Sequence, residues 1–176
     1  MAFVVDSYSE TNQNDTDDMY GARIGRGQSF ENINECYLSS AQFYLSKTGT
    51  PPGTLYCRLY AHTGTYGTSS LPTGSVLDQS SLTASSLSGS FALTTFNFSG
   101  AYILQPNTKY CISLYYSEGG SDASNKVNVG ADTTAPTHGG NYFFDNGGGW
   151  TTSTADGCFY VYGETGPSSA FLLNLV

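Results

Sequence analysis

Charge is scarce in this chain, and positive charge scarcer still. Asp, Glu, Lys and Arg make up 11% of 176 residues, and the six basic ones (Arg23, Arg26, Lys47, Arg58, Lys109 and Lys126) are scattered over the whole length. Nucleic acid binding needs clustered cations to displace phosphate counterions, and no cluster exists. A net charge of −8 also argues against attraction to an anionic membrane surface. No stretch approaches the roughly 20 consecutive apolar residues needed to cross a bilayer. The N-terminal MAFVVDSYSE has neither a basic leader nor a long apolar run, so no secretion signal and no membrane insertion are expected. Work outside a cell would then require release within an assembly, by lysis, by a nonclassical route, or after loss of a leader.

Sustained helical periodicity is missing as well, and so are motifs that bear a mechanism. Cys36, Cys57, Cys111 and Cys158 lie far apart and form no CxxC pair, which argues against a zinc knuckle. They read as small buried apolar residues, with inter-strand disulfides as the alternative. His62 and His138 are the only histidines, and neither falls in HExxH, GxSxG or a comparable pattern. A non-enzymatic protein is therefore expected. Fourteen acids guarantee that some pair of carboxylates can be proposed for glycoside hydrolysis, but availability is not evidence.

What the chain has in abundance is Gly (21), Tyr (14) and Phe (10), set among short Ser/Thr-rich segments with period-two alternation. In 41–62, Ala41, Phe43 and Leu45 alternate with polar neighbours, TGTPPG interrupts, and Leu55, Cys57, Leu59 and Ala61 resume. The short connector predicts that these two strands pair antiparallel. Extended segments are expected at AFVVDSY, GQSF, CYLSSAQFYL, TLYCRLYAH, SVLDQSSL, FALTTFNF, KYCISLYY, KVNVG, NYFFD and CFYVYG. The acidic run SETNQNDTDD and the stretch TGTYGTSSLPTG read as loops. Nine or ten strands without a fixed repeat predict an all-β, two-sheet antiparallel β-sandwich, with jelly-roll connectivity favoured over an immunoglobulin-like one. One domain is expected over 1–163, followed by a tail, 164–176, with an apolar end.

Three groups of residues are candidates for function. Asp15, Asp17 and Asp18 in one loop, and Glu118, Asp122 and Asp132 near another, are candidate calcium ligands, because Asn and Gly carbonyls nearby can complete an oxygen shell. Their spacing does not match an EF-hand, and no other cofactor is expected. Tyr56 and Tyr60 lie opposite Leu55 and Leu59, Tyr160 and Tyr162 lie opposite Phe159 and Val161, and Trp150 follows a triple-Gly loop. Such rings can stack on sugars, although Tyr on a sheet is also a good strand former. In the tail, Phe171, Leu172, Leu173, Leu175 and Val176 either pack on their own domain or dock on a neighbouring subunit.

The order FYLSKTGTPPGTLYCRLYAHTGTYGT, LPTGSVL, TFNFSG, NTKYCISLYYSEGGSDASNKVNVGAD and closing CFYVYG resembles a β-sandwich family found in bacterial surface proteins of the choice-of-anchor kind and in phage virion-associated proteins. The likeness covers most of residues 2–163. It implies a structural or adhesive module without catalysis, and it carries no site residues with it. The missing leader and anchor depart from the bacterial surface form and shift the expectation to the virion form. The expected protein is thus a virion structural protein, such as a decoration, fibre or tail-associated subunit. Its expected partners are further copies of itself or other virion proteins, and its expected place is the virion surface or the extracellular space. The alternative is a carbohydrate-binding module with a surface glycan as partner.

Overall fold

The computed structural model describes residues 1–117 and 120–166. Fourteen strands follow one another in this part of the chain: β1 (Ala2–Tyr8), β2 (Asp15–Met19), β3 (Gly25–Asn32), β4 (Cys36–Thr48), β5 (Thr54–Thr63), β6 (Leu71–Thr83), β7 (Ala92–Asn97), β8 (Ile103–Leu104), β9 (Thr108–Tyr115), β10 (Lys126–Asp132), β11 (Tyr142–Asp145), β12 (Trp150–Thr152), β13 (Asp156–Gly157) and β14 (Phe159–Glu164). Two 3₁₀ turns, Glu10–Asn12 and Ala84–Ser86, are the only helical elements among the described residues. Every strand pairing is antiparallel. Sheet A has the order β1-β14-β4-β10-β13, with β2 on β10 and with β7 and β8 on β4; sheet B runs β12-β11-β3-β9-β5-β6. Together they form the two-sheet antiparallel sandwich.

Alternation decides which side chains meet between the sheets. Phe43 and Leu45 of β4, Val129 of β10 and Phe159 and Val161 of β14 turn inward from sheet A. Phe30, Leu55, Leu59, Ile112 and Leu114 meet them from sheet B. Full burial of each such side chain contributes about 1.5–3 kcal/mol. In β4 the inward set is Cys36 and Leu38, then Ala41, Phe43 and Leu45, so the phase slips by one residue near Ser39 and Ser40. The register with β14 shifts at the same place, between Tyr162 and Gly163, as a bulge requires.

Three expectations about local structure are corrected. The TGTPPG connector does not join a hairpin: β4 belongs to sheet A and β5 to sheet B, so the chain crosses the sandwich there. Gly49 and Gly53 both adopt positive φ in this crossing, and a Cβ on Gly49 would lie 2.2 Å from the Ser124 carbonyl oxygen, so only glycine fits. The run SETNQNDTDD is not all loop either. Its last residues form β2 by pairing Asp15–Met19 with Val127–Ala131 of β10. The predicted loop TGTYGTSSLPTG likewise ends early, because LPTG opens the 13-residue strand β6.

The layer between the sheets is not uniformly apolar. Arg26, Gln28, Phe30 and Asn32 all point inward from β3, and each is at most 2% exposed. Buried polar groups require partners. Arg26 Nε lies 2.7 Å from Asp17 Oδ2, and its terminal nitrogens donate to the carbonyls of Gly25 and Asp18 and to Asn146 Oδ1. Gln28 donates from Nε2 to Asp156 Oδ1 and accepts at Oε1 from the Gly157 amide. A hydrogen-bonded network thus adjoins the hydrocarbon core between the sheets.

Candidate functional site

The outer face of sheet B carries the densest group of candidate binding residues. On β5, Tyr56, Arg58 and Tyr60 face away from the core because Leu55, Cys57 and Leu59 face into it. Across the ladder, Tyr56 pairs with Tyr115, Arg58 with Ser113 and Tyr60 with Cys111. The Arg58 guanidinium carbon lies 3.9 Å from the Tyr115 ring centroid and 4.9 Å from that of Tyr56. This stack holds the cation between two aromatic faces.

Trp150 reaches the same face from β12. Its six-membered ring lies against the backbone at Gly25, where a Cβ would stand 2.6 Å from two ring carbons. Phe143, from β11, covers Gly27 in the same way at 2.5 Å. Trp150 meets Phe143 edge to face with centroids 5.2 Å apart, and Tyr60 likewise at 6.4 Å. The glycines of GRGQ therefore make room for rings on the outside while Arg26 and Gln28 fill the inside. Outward-facing Ser29, Cys111 and Ser113 are fully buried, and loop 64–70 is tied down where Ser70 donates its amide to Asn141 Oδ1 at 2.9 Å. Tyr56, Tyr60, Tyr115, Arg58 and Trp150 remain half-buried around this covered part.

Tyr160 and Tyr162 do not belong to that face. They lie on the outside of sheet A, stacked on each other with centroids 6.2 Å apart, and hydrogen-bond to Glu10 and Gln42. The five candidate stacking residues are thus divided three and two between opposite surfaces. The outer face of sheet A also presents the stacked pair Tyr44 and Phe91 and the exposed side chains of Val4 and Leu93.

The candidate calcium ligands are placed differently from their sequence grouping. Asp15, Asp17 and Asp18 lie on strand β2, not in a loop, and the alternation of the strand turns Asp18 to the face opposite Asp15 and Asp17. Asp17 faces Arg26, Asp18 pairs with Lys126 at 2.6 Å, and Asp15 accepts from the Thr133 hydroxyl. Asp132 neighbours Asn14 and Asp15 rather than Asp122. One of its oxygens takes the Tyr8 hydroxyl at 2.7 Å, and the other takes the Asn14 amide and the backbone of Thr134 and Ala135. These bonds, with Tyr8 foremost and the Ala135 amide next, hold the Asp132 carboxyl down to about 2. Asp122 closes a turn on the amides of Ser124 and Asn125. Glu118 lies outside the described residues, as do Phe171, Leu172, Leu173, Leu175 and Val176. Among the described residues, no group of three or more His, Cys, Asp or Glu is arranged to hold a metal ion.

Sequence reasoning missed a second polar centre. His138 is nearly buried, and its Nδ1 lies 3.1 Å from Gln28 Nε2 and 3.0 Å from the Gly140 amide. Both neighbours are donors, which assigns the ring proton to Nε2, and Nε2 donates to Asp6 Oδ1 at 3.1 Å. The His138 amide donates to Asp156 Oδ2, so loop, β1, β3 and β13 are joined around one side chain. Burial raises the Asp156 carboxyl above its ordinary range against the opposing bonds from His138 and Gln28. No local pattern announces this centre, because its members come from distant strands. All four cysteines are free and buried, and burial pushes the Cys158 thiol up to about 12.

Comparison with known proteins adds no family: no family model and no curated protein matches this chain.

Proposed function

We propose that this protein is a non-catalytic binding subunit of a virion surface, a decoration, fibre or tail-associated protein that attaches to carbohydrate through the outer face of sheet B. The observation that carries this reading is the convergence of Tyr56, Tyr60, Tyr115 and Trp150 on one half-buried face, fixed from three strands and braced by Phe143. Sugar rings present C–H faces that pack on aromatic rings, and Arg58, with exposed Gln79 and Ser81 beside it on β6, can supply hydrogen bonds. Rings held by a sheet bind at low entropic cost because they are already ordered.

The virion part of the proposal draws on the likeness, over most of residues 2–163, to phage virion-associated sandwiches. It also draws on the outer face of sheet A, where Val4 is 49% and Leu93 37% exposed beside two stacked ring pairs. Isolated exposed apolar residues are ordinary, but a group on one sheet face suits a neighbouring subunit. The test is a glycan array on the full chain, repeated with Tyr56→Ala and Tyr60→Ala. Selective binding that falls with either variant while melting temperature holds supports the proposal. An array without any binding removes it.

A further inference from the structure

We propose that the patch centred on Arg58 recognises a carboxylated sugar, the guanidinium taking the carboxylate and the flanking rings taking the pyranose face. This rests on the carbohydrate reading above and narrows it to a ligand class.

The first support is the state of Arg58. In a chain with a net charge of −8, Arg26, Lys109 and Lys126 each have a carboxylate partner, and Lys47 donates to the Ser85 carbonyl. Among the described residues Arg58 and Arg23 have neither, but Arg23 is exposed, whereas Arg58 is half-buried and held between Tyr115 and Tyr56. Its Nε is buried without an acceptor. Arg26 Nε, opposite the Asp17 carboxylate, shows what the same chain does with a guanidinium that serves the fold.

A second observation concerns Ser113. Buried polar atoms without a partner are rare in folded proteins, and each calls for an explanation. Apart from Arg26, whose partner is Asp17, three such atoms exist among the described residues: Arg58 Nε, Ser113 Oγ and Asp78 Oδ2. Arg58 and Ser113 sit directly opposite each other in the β5–β9 register and point to the same outer face. Two of these three atoms thus lie where the rings converge.

The chemistry of the missing partner follows from the donors. A guanidinium offers parallel N–H groups that match a carboxylate in a two-point contact, and stacking on Tyr115 leaves the guanidinium edge to make it. Tyr60 and Trp150 stand beside Arg58 on this face, so a pyranose bearing the carboxylate has a ring on which to lie. The net charge opposes accumulation of a long polyanion near the surface. The fitting ligand is therefore a single or terminal acidic sugar, not a polyuronate chain.

The experiment is calorimetric titration of the full chain with glucuronate, galacturonate and N-acetylneuraminate, each against its uncharged amide. At least one acid is expected to bind about tenfold or more tighter than its amide, with the preference shrinking as salt rises. Arg58→Gln is expected to abolish the preference at an unchanged melting temperature, and Arg58→Lys to recover only part of it. Equal affinity for every acid and its amide, or a preference that survives Arg58→Gln, overturns the inference. A chain that binds neutral glycans through Tyr60 without any such preference overturns this inference alone. A chain that binds no glycan at all overturns the carbohydrate reading with it.

Discussion

Tyr60 and Trp150 meet edge to face with ring centroids 6.4 Å apart, although their strands β5 and β12 lie apart in sheet B. The contact exists because Gly25 and Gly27 leave the intervening surface without side chains, so Trp150 and Phe143 can lie across it. Trp150 is the single tryptophan, so its emission reports on this face alone. Tyr60→Ala should expose the indole edge and shift the emission maximum to longer wavelength, with little change in far-ultraviolet dichroism. An unchanged spectrum would show that the pair does not define the surface.

The same glycines set a stability prediction. A Cβ at Gly27 would stand 2.5 Å from both the Ile112 carbonyl oxygen and a Phe143 ring carbon. The ring can turn, but the backbone oxygen belongs to the neighbouring strand. Gly27→Ala should therefore cost about 1–3 kcal/mol in urea unfolding, as overpacking typically does. By contrast, Gly148→Ala meets nothing within 4 Å and should leave the midpoint almost unmoved.

Arg26 and Asp17 give an asymmetric pair of variants. Arg26 is 1% exposed, whereas the Asp17 side chain is 31% exposed. Removing Asp17 strands a buried guanidinium, and Asp17→Ala should cost about 3–5 kcal/mol. Arg26→Met replaces the stem with apolar volume and leaves a carboxylate that water can reach, so it should cost less. Chemical denaturation of both variants checks the order.

Acid sensitivity follows from Asp132. Its folded-state carboxyl is held to about 2, below the ordinary value of 3.8, so its contribution is complete above about pH 4 and is lost as pH falls toward 2. Asp156 acts in the opposite sense, since burial raises its pKa, and its contribution to stability is lost as pH climbs from the ordinary value of 3.8 through that raised value. Asp132→Asn should lower stability at pH 7 and flatten the decline between pH 4 and pH 2. Melting curves across that range decide it.

Much of the architecture is legible in the alternation of apolar residues. Phe43 and Leu45, Leu55 and Leu59, and Ile112 and Leu114 announce both their strands and their inward faces, because burial on one side of a sheet imposes a period of two. Partnership between strands is another matter. The β4 to β5 connector is short enough for a hairpin, yet Gly49 and Gly53 turn it across the sandwich, which depends on contacts with Ser124 far along the chain. β2 is rich in Asp, a poor strand former, and exists because β10 supplies a ladder and Arg26 and Lys126 supply charges. For the site, outward directions were readable for Tyr56, Tyr60, Tyr160 and Tyr162, but the sheet to which each belongs was not. Arg58 gave one local sign, a cation between two tyrosines on a strand, whose meaning emerges only with Tyr115 and Ser113 beside it.

The carbohydrate-binding account is tested most directly by following Trp150 fluorescence while a glycan selected on the array is titrated into the full chain. A saturable change in emission, abolished in Tyr60→Ala, is the predicted result. Glycan binding established by calorimetry while Trp150 emission stays flat, or the absence of saturation with every glycan, would contradict the account.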